Sequence, residues 1–324
     1  MAEMGSVYRS LPKAELHLHL EGSLEPASLR ELEPGLSPEE ITARLAPSGD
    51  FAGFLEAFKW VLGFLRTPED YRKVLRKLLA RLAEQNVLYA EITLSAGVAL
   101  RRGQDLDAIF GVLREEAARG PLTVRWILDA ARQFSPEEAM RVAEAAVRHA
   151  EEGVVAFGIG GDEKAGPIGW FGEVLQYARR SGLHLTVHAG EIAGPDSIWG
   201  ALELGAERIG HGIRAVEDPS LIAWLAQHRV PLEICLSSNV ATGAVSSLRH
   251  HPLRALYEAG VPVVLNTDDP GLFSTSLVRE YELAAEWFGF TQEELRTLAA
   301  NSFRYAFDWM PPGSLDLQGG PVCC

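Results

Sequence analysis

Apolar positions along the chain fall in short runs, each followed by a stretch of helical period. The runs are 13–19, 87–94 (VLYAEITL), 122–129 (LTVRWILD), 153–159 (GVVAFGI), 183–188 (LHLTVH), 206–211 (AERIGH), 230–236 (VPLEICL) and 261–266 (VPVVLN). In the first, Ala14, Leu16, Leu18 and Leu20 alternate with Glu15, His17, His19 and Glu21, the period of two that predicts a strand. Stretches such as 136–151 (PEEAMRVAEAAVRHAE) and 218–228 predict amphipathic helices between the runs. Strands alternating with helices predict a parallel sheet, and eight repeats predict an α/β fold closed as a (β/α)8 TIM barrel.

Spacing between run ends sharpens this. From Leu94 the steps are 35 residues to Asp129, then 32 to Gly161, 27 to His188, 23 to His211, 26 to Ser237 and 31 to Asp268. Each fits one βα unit, but the step from His19 to Leu94 is 75. The surplus follows strand 1, where 51–65 (FAGFLEAFKWVLGFL) and 70–85 read as extra helices. A helical lid of about residues 24–85 is therefore expected over the carboxyl face of the barrel. The expected organisation is one domain over 1–310, followed by a poorly ordered tail at 311–324.

Composition narrows the function without naming it. The 324 residues are 47% hydrophobic and carry a net charge of −14, which suits a folded core and disfavours polyanionic nucleic acid or an anionic membrane as partner. No apolar run approaches the ~20 residues that span a bilayer. The three cysteines (Cys235, Cys323 and Cys324) form no disulfide or C-x-x-C pattern, and no basic-then-apolar leader opens the chain. A cytoplasmic protein acting on a small molecule is expected; the oligomeric state is left open.

Barrel enzymes carry their reactive groups at the carboxyl ends of strands. There this chain places His17 and His19 on strand 1, His188 on strand 5, His211 on strand 6, and Asp268 with Asp269 on strand 8. Taken singly, each has a plain reading: strand surface for H-x-H, a core residue for His188, a helix cap for the aspartates. Taken together they converge, because residues i and i+2 of a strand share a face and strands 1 and 8 adjoin in a closed barrel. His17, His19, His188 and Asp268 can share one ion, and three imidazoles with a carboxylate suit one zinc. Glu191, three residues past His188, is a candidate general acid. His211 is a candidate to position a water whose pKa zinc lowers toward neutrality. Histidines 149, 184, 228, 250 and 251 are given structural roles.

The ordered series PKAELHLHLEGSL, GIGGDE, HAGE, RIGHGIRA, CLSSN and LNTDDPGLF resembles the adenosine deaminase family of the amidohydrolase superfamily, from Lys13 to about Ala306. The resemblance implies zinc on His17, His19, His188 and Asp268. It implies Glu191 as the acid protonating purine N1 and His211 as the residue stabilising charge at C6. Asp269 would bond N7, the Gly161 amide N3, and Phe54, Leu55 and Phe58 would cover the base. His19 and Glu21 would lie on the substrate side of strand 1. Adenosine-specific members usually carry aspartate where Glu21 stands, near the ribose 5′-hydroxyl. Adenine and aminodeoxyfutalosine deaminases commonly carry glutamate. The NTDDPGLFSTSL stretch is more similar to nucleoside-acting members. A purine nucleoside or a 5′-modified nucleoside is thus the first expectation, with free adenine second.

Other readings meet obstacles. Two-metal amidohydrolases carry a carboxylated lysine at the end of strand 4, where this chain has no lysine before Lys164. Cytidine-type zinc deaminases need P-C-x-x-C, which is missing here. A nucleoside-binding pseudoenzyme would be expected to lack a ligand or the acid, yet every such position is filled.

Overall fold

The computed structural model describes residues 7–46 and 49–310. Eight parallel strands follow one another around a single sheet in chain order: β1 (Lys13–His19), β2 (Val87–Leu94), β3 (Thr123–Ala131), β4 (Val154–Gly160), β5 (His184–Ala189), β6 (Arg208–His211), β7 (Leu232–Ile234) and β8 (Val263–Leu265). The predicted (β/α)8 barrel is thus the observed fold, with strand ends displaced by at most a few residues. The largest shortening is in β7 and β8, three residues each, where the chain turns out of the ladder early.

The β8–β1 seam is closed largely by side chains. A bridge joins Leu18 to Asp268, with Asp268 N donating to His17 O at 2.9 Å and His19 N to Asp268 O at 2.8 Å. Below it, Asn266 Oδ1 accepts from Leu16 N and His17 N, and Glu15 Oε1 accepts from Thr267 N. These bonds satisfy strand-edge amides that the short β8 cannot reach, and they fix β1 and Asp268 against each other.

Among the described residues, four α-helices lie between β1 and β2: α1 (Pro26–Leu32), α2 (Pro38–Leu45), α3 (Phe51–Leu62) and α4 (Pro68–Glu84). Thr67 and Asp70 form a reciprocal capping box that starts α4 behind Pro68. This helix packs on β2 and on the helix Leu106–Ala117, so it belongs to the outer ring as the helix of the first βα unit. The expected extra helix at 70–85 is corrected accordingly. Its Tyr71, Val74, Leu75, Leu78, Leu79 and Leu82 form a buried stripe of helical period, as a ring helix requires. Of the four, α3 alone supplies residues that line the cavity described below. The tail at 311–324, with Cys323 and Cys324, lies outside the described residues. Among the described residues, no helix is long and apolar enough to cross a membrane.

The barrel interior below the site is ionic. Arg208 donates to Glu91 at 2.5 Å and to Glu233 at 2.6 Å, and all three are buried. Phe307 stacks under the guanidinium at 3.6 Å, and Tyr305 O accepts from Arg208 Nη1. Segment 305–307 thereby closes the barrel floor.

Candidate metal and active site

The carboxyl ends of β1, β5, β6 and β8 bring His17, His19, His188, His211 and Asp268 together. Donor atoms of His17, His19, His188 and Asp268 all lie within 4.8 Å of one another. His19 Nε2 faces His188 Nε2 at 3.2 Å, and Asp268 Oδ1 lies 3.4 Å from both His17 Nε2 and His19 Nε2. Burial holds His19 down to about 4 and His188 well below the usual imidazole range, so both present unprotonated nitrogens. His17 Nε2 is buried without a hydrogen-bond partner. Its other nitrogen, Nδ1, donates to Glu233 Oε2 at 2.7 Å, which directs Nε2 into the cluster. Burial alone would lower His17, but Asp268 and Glu233 on either side raise it to about 10. Three imidazoles and one carboxylate converging on an orphaned nitrogen fit a divalent ion with nitrogen and oxygen ligands. Cys235, near His211 and Asp268, is held as a thiol by burial, which makes it a poor rival ligand.

Asp268 takes up its position in the left-handed backbone region (φ 63°), and its second oxygen, Oδ2, accepts from Ser238 Oγ at 2.6 Å. His211 shares that backbone conformation (φ 62°). Its ring is oriented by a chain of hydrogen bonds. Leu253 N donates to His251 Nδ1 (3.1 Å), so the His251 proton sits on Nε2 and goes to Asn239 Oδ1 (3.1 Å). Asn239 Nδ2 then donates to His211 Nδ1 at 3.0 Å. Burial holds both rings neutral, at about 3 for His251 and about 4 for His211. His211 therefore carries its proton on Nε2, 3.7 Å from Glu191 Oε2 and 3.9 Å from Asp268 Oδ2. His251 and Asn239 belong to this arrangement, His251 through its hydrogen bond to Asn239.

Glu191 is 4% exposed, and burial together with the charges of Asp268 and Glu163 raises its carboxyl to about 8. It is protonated at neutral pH, as a general acid must be. Thr242 Oγ1 donates to its Oε1 at 3.1 Å. Its backbone is fixed by Glu163, whose Oε1 accepts from the amides of Glu191 (2.9 Å), Ile192 (3.0 Å) and Ala193 (3.4 Å). The other oxygen of Glu163 accepts from Gly190 N at 2.8 Å and Ser197 Oγ at 2.5 Å. Asp269 is also buried, and burial beside Asp268 pushes its carboxyl well above the usual range. Its Oδ1 has no partner. A Cβ at position 22 would fall 1.6 Å from that oxygen, so Gly22 is required for the close approach.

The site opens into one cavity of roughly 440 Å³. Phe51, Phe54, Leu55 and Phe58 of α3 form its apolar wall, and His19, Gly161, His188, Glu191, His211, Asp268 and Asp269 its floor and side. Asp129, Ser95 and Gln133, which strand-end patterning did not single out, line it too. Glu21 does not line the cavity. It lies fully buried behind the wall, where Ser95 N donates to its Oε1 at 2.9 Å. The site thus combines a protonated acid, an imidazole N–H, a metal-ligand cluster and an apolar face: the means to hold a flat heterocycle, protonate it, and bring water to an adjacent carbon.

A family model described as adenosine deaminase matches residues 12–311. The chain is 39% identical over 318 residues to the aminodeoxyfutalosine deaminase of Streptomyces avermitilis, covering 94% of this chain and 89% of that protein. It is 39% identical over 306 residues to an adenine deaminase of Rhizobium leguminosarum bv. trifolii, covering 92% of this chain and 95% of that one. Among solved structures, the adenine deaminase of Arthrobacter aurescens is similar at a TM-score of 0.85, with 31% identity and coverage of 92% and 94%.

Proposed function

The chain belongs to the adenosine deaminase family, hydrolases that deaminate adenine derivatives, and from that premise we propose that it removes the 6-amino group of a purine nucleoside, bare or modified on the 5′ side, with zinc as its metal. The observation that carries this reading is the juxtaposition of protonated Glu191 with the His17–His19–His188–Asp268 cluster in one cavity. The four cluster residues would hold the ion. When bound, zinc supplies Lewis acidity, which makes water a competent nucleophile at neutral pH.

The remaining chemistry falls to side chains of this chain. Glu191 donates its proton to purine N1, which draws electrons from C6. Asp269, kept neutral by its surroundings, donates to N7, an atom that can only accept. The Gly161 amide faces N3. As water oxygen bonds to C6, Asp268 accepts the proton from it, and the Nε2–H of His211 stabilises the charge that develops there. Asp268 passes that proton to the 6-amino group, the C6–N bond breaks as ammonia leaves, and the hydroxyl's remaining proton goes to the Glu191 carboxylate as the C6 carbonyl forms, so the 6-oxo purine keeps its N1 proton and Glu191 is restored. Phe54, Leu55 and Phe58 of the α3 lid exclude water from the other face.

A cavity of roughly 440 Å³ leaves room beyond a two-ring base, which supports a nucleoside over free adenine. The second reading, adenine deaminase, draws on the similarity to the Rhizobium enzyme and on glutamate at position 21. Ammonia release from zinc-loaded protein, measured with adenosine, aminodeoxyfutalosine and adenine, decides between them. Turnover of adenine alone would overturn the nucleoside reading, and turnover of none would overturn deamination.

A further inference from the structure

Asp129, near the end of β3, is a buried acid that the proposed reaction does not use. It is 8% exposed, lines the cavity, and its Oδ1 has no hydrogen-bond partner. The glycines of β4 make space for it: a Cβ at Gly158 would lie 2.7 Å from Asp129 Oδ1. A Cβ at Gly160 would lie 3.1 Å from both Asp129 Oδ2 and His188 Nδ1. The carboxyl therefore stands one residue's width from the metal cluster, on the cavity wall. Ser95 lines the cavity as well, and its backbone amide is engaged by Glu21 behind it. An unpaired buried acceptor costs free energy unless a ligand supplies a donor.

The chemistry of that donor follows from the wall. Asp129, Ser95, Gln133 and Asp162 give the cavity, which the phenyl rings of α3 also line, a polar and acidic share. Lys59 is the sole lysine or arginine among the lining residues, and it is already paired with Glu56 at 2.8 Å. A phosphate would meet repulsion here, whereas a neutral hydroxyl can donate to a carboxyl in either protonation state. Resting on the nucleoside reading above, we infer that Asp129 accepts a hydrogen bond from a sugar hydroxyl of the substrate, and that it selects nucleosides over both the free base and the 5′-phosphate.

The test is a cycle of variants against substrate analogues. Wild type, Asp129→Asn and Asp129→Ala, each zinc-loaded with metal content measured, are assayed for KM and kcat. The substrates are adenosine, its 2′-, 3′- and 5′-deoxy analogues, adenine and AMP. For Asp129→Ala, KM for adenosine should rise about 3- to 10-fold with kcat within threefold, the loss expected for one net hydrogen bond. One deoxy analogue should show no further loss in the variant, which identifies the hydroxyl. Asp129→Asn retains an acceptor oxygen and should recover part of the affinity. Equal losses across all six compounds, a fall in zinc content, or a wild type that prefers AMP would each overturn the assignment. If wild type turns over none of the compounds, the deaminase reading fails separately. The binding of inosine against hypoxanthine to wild type and Asp129→Ala then decides the subsite, an unchanged inosine affinity overturning it.

Discussion

Replacing Glu163 by alanine removes one carboxylate that accepts from four backbone amides, those of Gly190, Glu191, Ile192 and Ala193, and from the Ser197 hydroxyl. Water can reach the last three donors, but Gly190 N and Glu191 N are buried and would be stranded. Each stranded amide costs about 1–3 kcal/mol, so the present loop conformation loses about 2–6 kcal/mol relative to a rearranged one. At about 1.4 kcal/mol per decade, even the lower figure reduces the population of the productive loop roughly 30-fold. Glu191 moves with that loop. The expected result for Glu163→Ala is therefore a kcat lowered by roughly 30-fold or more, with zinc content unchanged, because none of the four cluster residues bonds to Glu163. Glu163→Gln keeps one acceptor oxygen and should fall in between. The assay is steady-state ammonia release alongside metal analysis. A Glu163→Ala enzyme within threefold of wild type would refute the argument that this carboxylate holds the acid in place.

Three more expectations follow from the same geometry. Asn239→Leu breaks the chain from His251 to His211 and should lower kcat about 10- to 100-fold with little change in KM; an unchanged kcat would remove the relay from the account. Activity should fall as pH rises through about 8, because the raised Glu191 carboxyl then loses the proton it must donate; a rate still climbing well above that pH would contradict its role as acid. Arg208→Met leaves Glu91 and Glu233 buried without the guanidinium that balances their charge, and should destabilise the fold by about 3–5 kcal/mol in chemical denaturation; a loss below about 1 kcal/mol would mean that their remaining hydrogen bonds suffice.

The barrel was legible because strand and helix periods repeat with nearly constant spacing, and because histidines and aspartates mark several strand ends. His17 and His19 could be paired from the two-residue period, and Asp268 joined to them from closure of the barrel. The supporting residues were harder to read because their partners lie on other strands. Glu233 meets His17 across 216 positions of sequence, and Glu163 meets Glu191 across 28. His251 gave no signal as a loop histidine, since its importance depends on an asparagine in the short helix Leu236–Ala241 after β7. The 75-residue step showed that something was inserted after β1 but not which helices were extra. Only packing separates α4, which faces β2 and the neighbouring ring helix, from α3, which faces the cavity. Asp129 was silent for a related reason: an acid in a strand declares itself only when its surroundings prove to offer no partner.

Whether a zinc cluster and a protonated Glu191 act on one purine is decided by comparing wild type with Glu191→Gln. Zinc per chain is measured by elemental analysis, and ammonia release from the preferred nucleoside is measured on the same samples. One zinc per chain is expected in both proteins, with turnover in wild type and a loss of at least about a hundredfold in the variant. A Glu191→Gln protein that retains its zinc and deaminates at the wild-type rate would contradict that joint action.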